Sequence, residues 1–339
     1  GQQAGLVFLT IMVFVIIFIG YSIKRNTITD MLGAYLPYII WPIVYLIVDS
    51  VLDQKNKRRF LLLFLIVYTI SIVATLSVVT VDNNAARLLA GAATDAERED
   101  YYSQGVGGYG FVYGGVFLLY GFLLWMSKEK NAILRIILLA ICITTFFMII
   151  YASYTTALLL SIIMICMSFY TSSKNKNATF LFILFVILAV LLLNPILQII
   201  FDMAEQLGLE WVEKRIAQII EAEENGDIGG MRRYKLYMRS LDTFWNNIML
   251  GGKNSGGHSM FLDRMALYGV FGLIFDISYF MWLNNMRRFT EKRVGLVYIM
   301  FIVLLFINTI DTIVMLPMVQ FALPLMLSML KENPEKFSC

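Results

Sequence analysis

The sequence has little charge and few of the residues that hold metals or disulfides. Charged residues make up 15% of the 339 residues, whereas soluble domains carry roughly 25%. Cys142, Cys166 and Cys339 have no metal-ligand spacing, and the first two lie inside apolar runs. This pattern argues against a disulfide framework and against a zinc site. His258 is the only histidine of the chain.

Nucleotide-binding fingerprints are also missing. Neither a Walker loop nor a dinucleotide motif occurs in the sequence. The glycine-rich run GVGGYGFVYGG at 105–115 follows no predicted strand and opens an apolar segment. Because small residues let helices in membranes pack closely, we interpret this run as the start of a spanning helix.

Long apolar runs are what the sequence has in abundance. Hydrophobic residues make up 59% of the chain, and the mean hydropathy is +0.73. A bilayer core of roughly 30 Å requires about 20 apolar residues per spanning helix. The sequence therefore predicts an all-α fold, a polytopic transmembrane helix bundle of about ten spans with a large helical extracytoplasmic loop. The predicted spans are 5–23, 31–51, 60–80, 106–126, 132–151, 153–170, 178–200, 261–283, 294–311 and 313–330.

Short basic segments predict the orientation, because Lys and Arg are retained on the cytoplasmic side. With these spans, nearly all such segments fall on one side of the membrane. Lys24 and Arg25 fall on the other side. Either the second span, which contains Pro37 and Pro42, is not a simple crossing, or these two cations have a role outside. The simpler alternative is an interfacial pair that meets lipid phosphates. The cations that agree are Lys55, Lys57, Arg58, Arg59, Lys128, Lys130, Lys174, Lys176, Arg287, Arg288, Lys292, Arg293, Lys331 and Lys336.

The predicted topology divides the chain into three segments. Residues 1–200 form spanning helices with an outward loop at 81–105, residues 201–260 form an extracytoplasmic helical loop, and residues 261–339 form the last spans and a cytoplasmic tail. Asp49 and Asp276 fall inside predicted spans, where a carboxylate is costly in lipid. Each is either a functional residue, or it simply pairs with a neighbouring helix or lies near the membrane interface.

The stretch from Met231 to Leu273 combines cations, glycines and His258. Its C-terminal part is the start of the predicted span 261–283. On a helix, Arg232, Lys235 and Arg239 are spaced i, i+3 and i+7 and share one face. A second face is apolar, which predicts a helix that buries it and exposes the cations. The predicted buried face carries Tyr234, Met238, Leu241 and Trp245.

Cations beside a glycine-rich segment suit an anion that carries more than one charge. The Arg guanidinium matches phosphate oxygens two at a time, and glycine lets backbone N–H groups approach a ligand closely. The imidazole of His258 accepts or donates a proton near neutral pH. We expect transfer of a group from a phosphate leaving group to a hydroxyl, without a metal or other cofactor. The alternative is that the cations bind lipid headgroups and that His258 is an ordinary polar residue.

An Arg-led helix, a glycine turn, a His-Ser pair and a closing YGxxG follow one another between residues 230 and 272. This order resembles the O-antigen ligase and polymerase superfamily, which includes Wzy-type polymerases of O-antigen and capsular polysaccharide. Residues 85–113 resemble an earlier outward loop of the capsule-type members less specifically. Met249 stands where the family usually has proline, which affects the turn more than the chemistry. The matching residues are Arg233, Tyr237, Leu241, Asn247–Gly252, Gly257–Ser259, Leu262, Asp263, Tyr268, Gly269 and Gly272.

The resemblance implies a metal-independent glycosyltransferase of the cell envelope. Such an enzyme polymerises undecaprenyl-pyrophosphate-linked oligosaccharide repeat units at the outer face of the cytoplasmic (inner or plasma) membrane. It implies Arg233 and His258 as catalytic residues, with Arg233 at the pyrophosphate and His258 as general base or phosphate-orienting group. Asp263 is expected to hold the top of the following helix and to orient His258. The substrate-binding residues implied are Arg232, Arg239, Arg87, Lys253, Asp263 and Tyr237.

The implied partners are the lipid-linked glycan donor and acceptor, the bilayer, a flippase and a chain-length regulator, and no nucleic acid. The resemblance also implies a further pair of spans before Gly1. A ligase that moves a finished glycan to another acceptor uses the same donor, so the Arg and His residues do not separate the two activities. An anion or polysaccharide transporter would instead place charges deep within the spans. A lipid-binding protein without enzymatic activity is the last alternative.

Overall fold

The computed structural model describes residues 2–22, 35–82, 85–89, 94–152, 154–172, 193–206, 208, 213–214, 216–217, 230–257, 259–286, 297, 302 and 317–331. Over these residues the regular structure is helical, and the described part contains no strand. The helices are, in chain order, α1 (Gln2–Ser22), α2 (Pro37–Val51), α3 (Gln54–Val79), α4 (Ala85–Leu88), α5 (Asp95–Ser103), α6 (Tyr109–Lys128), α7 (Ala132–Tyr151), α8 (Thr155–Ser172), α9 (Leu193–Gln206), α10 (Gly230–Asn246), α11 (Met260–Tyr268), α12 (Val270–Met286), a π-helical segment (Pro317–Ala322) and α13 (Leu323–Met329).

Three described helices are long and apolar enough to cross a membrane, namely α3, α6 and α7. They coincide with the predicted spans 60–80, 106–126 and 132–151. Shorter apolar helices occupy Gly5–Val15, Pro37–Val51, Thr156–Ser172 and Pro317–Met329, each overlapping one of four other predicted spans. Most of 178–200 and of 294–311 lies outside the described residues, as do Lys24 and Arg25. The described part of the chain is thus helical, with three helices able to span a membrane, and the number of ten spans stays a prediction.

One predicted span differs from the structure. The sequence predicts a single helix over 261–283, but the chain forms α11 and α12 with a break at Gly269. The backbone of Gly269 has φ +60°, and a Cβ there would collide with the backbone carbonyl oxygen of Ile248. The break therefore follows from the close approach of the preceding turn, which a hydropathy pattern does not register.

The chain divides into two compact units, residues 1–57 with 230–339, and residues 58–229. This division falls inside the predicted extracytoplasmic segment 201–260, at residue 230. In the first unit α1 packs along α12, α2 contacts the π-helical segment, and α10 and α12 both pack on α11. Asp49 of α2 accepts hydrogen bonds from Lys57 Nζ at 2.6 Å and from Ser328 Oγ. It therefore has the helix-pairing role, one of the two readings of this acid.

The second unit is organised around α6, which is buried along most of its length and packs against α7 and α8. A Cβ at Gly115 would lie 2.9 Å from Tyr68 Oη and 3.2 Å from Met148 Cε. The expectation that glycines of this run permit close packing is therefore confirmed at Gly115. Arg58 at the start of α3 donates a hydrogen bond to Glu129, after the end of α6, at 3.0 Å. These helix ends are neighbours, so α3 and α6 run antiparallel.

The segment predicted as an outward loop, 81–105, contains α4 and α5. Thr94 caps α5: its hydroxyl accepts from the Glu97 N–H, and the Glu97 carboxylate accepts from the Thr94 N–H at 2.7 Å. That backbone hydrogen bond, together with one from the Thr94 hydroxyl, lowers the pKa of Glu97. A hydrogen bond from the Tyr101 hydroxyl to Asp82 at 2.5 Å raises the pKa of Tyr101 to about 12. The loop is thus a folded helical segment.

Candidate functional site

The first unit contains an open pocket along α10. Its cavity is about 330 Å³, and two exposed cations, Lys235 and Arg239, contribute to it together with the carboxylate of Asp242. Arg239, Asp242 and Asn246 are spaced i, i+3 and i+7, so one face of the helix supplies them. The lining residues are Lys235, Met238, Arg239, Asp242, Thr243, Asn246 and Asn254. The pocket combines two positive charges and one negative charge with amide and hydroxyl groups, and its net positive charge suits a polyoxygenated anion.

The face of α10 that is buried differs from the predicted one. Ser240 is 1% exposed and Phe244 is 5% exposed, whereas Trp245 is 66% exposed. The predicted buried face is therefore wrong at Trp245. The reason is a hydrogen bond from Ser240 Oγ to Asp263 Oδ1 at 2.7 Å, which joins α10 to α11 on that side. Periodicity identifies stripes on a helix, but the polar contact decides which stripe is buried.

A tight turn connects α10 to the glycine-rich segment. Gly251 donates its N–H to the Asn247 carbonyl at 2.8 Å, and Gly252 donates to the Ala266 carbonyl at 2.7 Å. Gly251 has φ +75°, and a Cβ there would collide with the backbone of Leu267. Both conditions exclude any side chain at this position. The turn is thereby fixed against the end of α11.

Asp263 organises the rest of the loop. It is 9% exposed and accepts hydrogen bonds from the N–H groups of Gly257 at 3.1 Å and Ser259 at 3.2 Å, besides that from Ser240. Ser240 Oγ in turn accepts from the Gly256 N–H at 2.8 Å. The backbone on both sides of position 258 is therefore held by one carboxylate. The helix-holding role expected for Asp263 agrees with this geometry.

Ser259 completes the start of α11. Its hydroxyl accepts a hydrogen bond from the Leu262 N–H at 3.3 Å, the usual action of a serine at a helix N-terminus. Asp263 lies in the first helical turn, where the helix dipole stabilises a negative charge. Both residues therefore stabilise α11 and the loop at once, which explains why this short helix begins at Met260.

A buried ion pair lies in the same unit. The guanidinium of Arg264 donates to Asp276 Oδ1, and both side chains are almost completely buried. The Arg264 guanidinium carbon lies 4.8 Å from the ring centre of Tyr38 and 5.0 Å from that of Phe275. The rings provide cation–π attraction to a desolvated cation. The pair joins α11 to α12 across the break at Gly269, so Asp276 has a pairing role.

The predicted site residues differ in their position relative to the pocket. Arg239 lines the pocket, Lys253 is exposed on the loop outside the pocket lining, and Tyr237 is half-buried on α10. His258 lies outside the described residues. Of three arginines the structure describes the backbone alone, and these are Arg232 and Arg233 on α10 and Arg87 on α4 of the other unit.

Sequence reasoning missed several residues of this region. Asp242, Asn246 and Asn254 line the pocket, and Arg264 pairs with Asp276. The spacing of Arg239, Asp242 and Asn246 could have indicated a shared face. For Arg264, the signal was a cation inside the predicted span 261–283, which also holds the acid Asp276. Among the described residues, no group of three or more His, Cys, Asp or Glu side chains is placed to hold a metal ion.

Comparison of the chain with protein-family models, with curated proteins and with solved structures gives no match.

Proposed function

We propose that this chain is a membrane glycosyltransferase that polymerises undecaprenyl-pyrophosphate-linked repeat units at the outer face of the cytoplasmic membrane, in O-antigen, capsule or exopolysaccharide synthesis. One observation carries the proposal. Lys235 and Arg239 line an open pocket on α10, and Ser240 of the same helix holds the glycine-rich loop together with Asp263 of α11. A cationic pocket and a fixed loop thus come from one short segment of a helical membrane protein.

The chemistry assigned to this segment is a displacement at an anomeric carbon. An acceptor hydroxyl forms a new bond to that carbon, and the bond from the carbon to the pyrophosphate oxygen breaks. The leaving pyrophosphate keeps the electron pair of the broken bond, and the hydroxyl proton passes to a base. Lys235 and Arg239 stabilise the negative charge of the leaving group, as fixed cations do in other sites where charge develops.

The roles of two further residues come from the resemblance. Arg233 is assigned to the pyrophosphate, and His258 to the proton of the acceptor hydroxyl or to orientation of the phosphate. Position 233 lies two helical turns before Ser240, on the same helix as Arg239. Position 258 lies between the two N–H groups that Asp263 accepts. Both residues therefore belong to the chain segment that supplies the pocket and the glycine-rich loop.

Reconstitution tests the proposal. Purified full-length protein in proteoliposomes receives a lipid-linked repeat unit in the presence of a chelator, and the product lengths are recorded. A ladder of lengths is expected, and Arg239→Ala should reduce its formation by about 100-fold. Lys130→Ala, which changes an exposed cation of the other unit, should leave it unchanged.

Three results would contradict the proposal. A strict requirement for a divalent ion would contradict metal-independent transfer. A single transfer to a foreign acceptor would identify a ligase, which uses the same donor. Wild-type ladders from both Arg239→Ala and His258→Ala would remove this segment from the reaction.

A further inference from the structure

The turn that joins α10 to the glycine-rich loop exposes large apolar side chains at its surface. Trp245 is 66% exposed, Ile248 41%, Met249 68% and Leu250 51%. Together these residues, Trp245–Leu250 with the intervening asparagines, form what we call the apolar turn. Contiguous exposed apolar surface of this kind marks contact with a partner or with a membrane.

The hydrogen bonds of the apolar turn place it where α12 begins. Val270, the first residue of α12, donates its N–H to the carbonyl of Ile248 at 2.7 Å. From this point α12 exposes Ile274, Ile277 and Met281, which are spaced i, i+3 and i+7 and form one apolar stripe. The opposite side of α12 carries the buried Asp276 and Phe275. Exposed apolar surface therefore runs from the turn along one side of α12.

We propose that the apolar turn is an interfacial anchor that inserts into the headgroup region of a phospholipid bilayer, at the level where α12 enters it. Tryptophan is enriched at this depth because its ring is apolar and its N–H is polar. Asn246 and Asn247 of the turn and Lys253 beside it are exposed and can meet water and lipid phosphates. The turn is continuous with the exposed stripe on α12, and α12 packs along α1, which contains the apolar stretch Gly5–Val15. This surrounding favours lipid over a protein partner.

The anchor sets the height of the pocket. Arg239 precedes Trp245 by six residues and Lys235 precedes it by ten, so they lie about 9 Å and about 15 Å from it along the axis of α10. Whatever the tilt of α10, the pocket cations are then within reach of a phosphate whose hydrocarbon tail stays in the bilayer. The pocket accordingly suits a lipid-linked phosphate better than a water-soluble sugar nucleotide. This last step rests on the proposed function, whereas contact of the turn with lipid does not.

Depth-dependent fluorescence quenching tests the anchor. Full-length protein is placed in phosphatidylcholine nanodiscs whose acyl chains carry bromine either near the glycerol or near the methyl end. The emission of Trp245 is the difference between the parent and Trp245→Phe. We expect bromine near the glycerol to quench this difference more strongly than bromine near the methyl end. Trp125→Phe is the matched control, because Trp125 is 2% exposed in the core of the other unit.

Two outcomes would overturn the proposal. If aqueous iodide but neither brominated lipid quenches Trp245, the turn lies in water. If neither agent quenches it and dilution of the protein makes it accessible, a second copy of the chain covers the turn. Met249→Trp in the Trp245→Phe background is a second reporter at another position. The measurement needs no substrate, so its failure is distinguishable from failure of the proposed enzymatic activity.

Discussion

Asp263 accepts hydrogen bonds from a side chain of α10 and from the backbone on both sides of position 258. Asp263→Asn keeps the size of the side chain but turns one acceptor oxygen into a donor that faces another donor. We expect the free energy of unfolding in detergent micelles to fall by about 1–3 kcal/mol, together with loss of elongation. Glu99→Gln, an exposed acid of α5, is the control. Unchanged unfolding of Asp263→Asn would show that these hydrogen bonds contribute little.

The buried Arg264–Asp276 pair is expected to contribute to the stability of the fold. Arg264→Met removes the cation and leaves a carboxylate buried in an apolar region, so we expect a loss of about 3–5 kcal/mol of stability. Combining it with Asp276→Leu removes both charges, and most of that loss should be recovered. Thermal unfolding of the purified protein measures both variants. Arg135→Met, at an exposed position, controls for the loss of an arginine.

The double variant also separates stability from activity. If it unfolds like the parent and still elongates glycans, the pair serves to hold α11 against α12. If the single variant unfolds like the parent, the buried pair is not a determinant of the fold.

At the scale of the helix, α5 is expected to depend on pH. Hydrogen bonds from Thr94 lower the pKa of Glu97 in the folded state below its ordinary value of 4.5. A carboxyl group whose pKa is lower in the folded than in the unfolded state stabilises the fold at pH values above its unfolded pKa. This stabilisation is lost as the pH falls through the folded pKa. Amide hydrogen exchange in α5 should therefore speed up, relative to α6, as the solution is acidified below about pH 4. Glu97→Gln keeps the capping pattern without a titratable group, and its local stability should not change in this way.

The sequence predicts a helix reliably where hydropathy alone determines it. Apolar runs of about 20 residues, with a single arginine in the second, are sufficient to indicate α6 and α7. The break at Gly269 depends instead on contact with Ile248, which is distant by 21 positions, and the hydropathy pattern continues through it. Likewise, the buried side of α10 is decided by Ser240 and its bond to Asp263. Such contacts become visible only when the helices are placed together.

The distribution of Lys and Arg predicts the orientation of the whole molecule in the membrane. Because α3 and α6 run antiparallel, this orientation can be tested within one unit. Lys130→Cys follows the end of α6, and Asp100→Cys lies in the 81–105 loop. We expect a membrane-impermeant maleimide to label the second variant in intact cells and the first only after the membrane is opened. The unsubstituted chain, with its own cysteines, gives the background. Labelling of Lys130→Cys in intact cells would reverse the predicted orientation.

The contrast between cations and a surrounding apolar chain predicts a site at 231–273, and Arg239 of this stretch lines a pocket. That this pocket is the functional site stays a prediction. Asn254 reaches the same pocket from the loop, and no periodicity on a helix indicates a loop residue. Arg264 and Asp276 both lie in the predicted span 261–283, but the sequence does not show that the two side chains meet. The aromatic rings around Arg264 come from α2, its N-terminal flank and α12.

The hydrogen bond between Ser240 and Asp263 spans 23 positions of the chain, and that between Arg264 and Asp276 spans 12. Loops of this length close quickly, because the entropy lost on closure grows only slowly with length and is small for near neighbours. Helices α10, α11 and α12 can therefore pack together while later parts of the chain are still being synthesised. The pocket would then be in place before α13 is made, so the insertion of α13 would not decide whether the site forms.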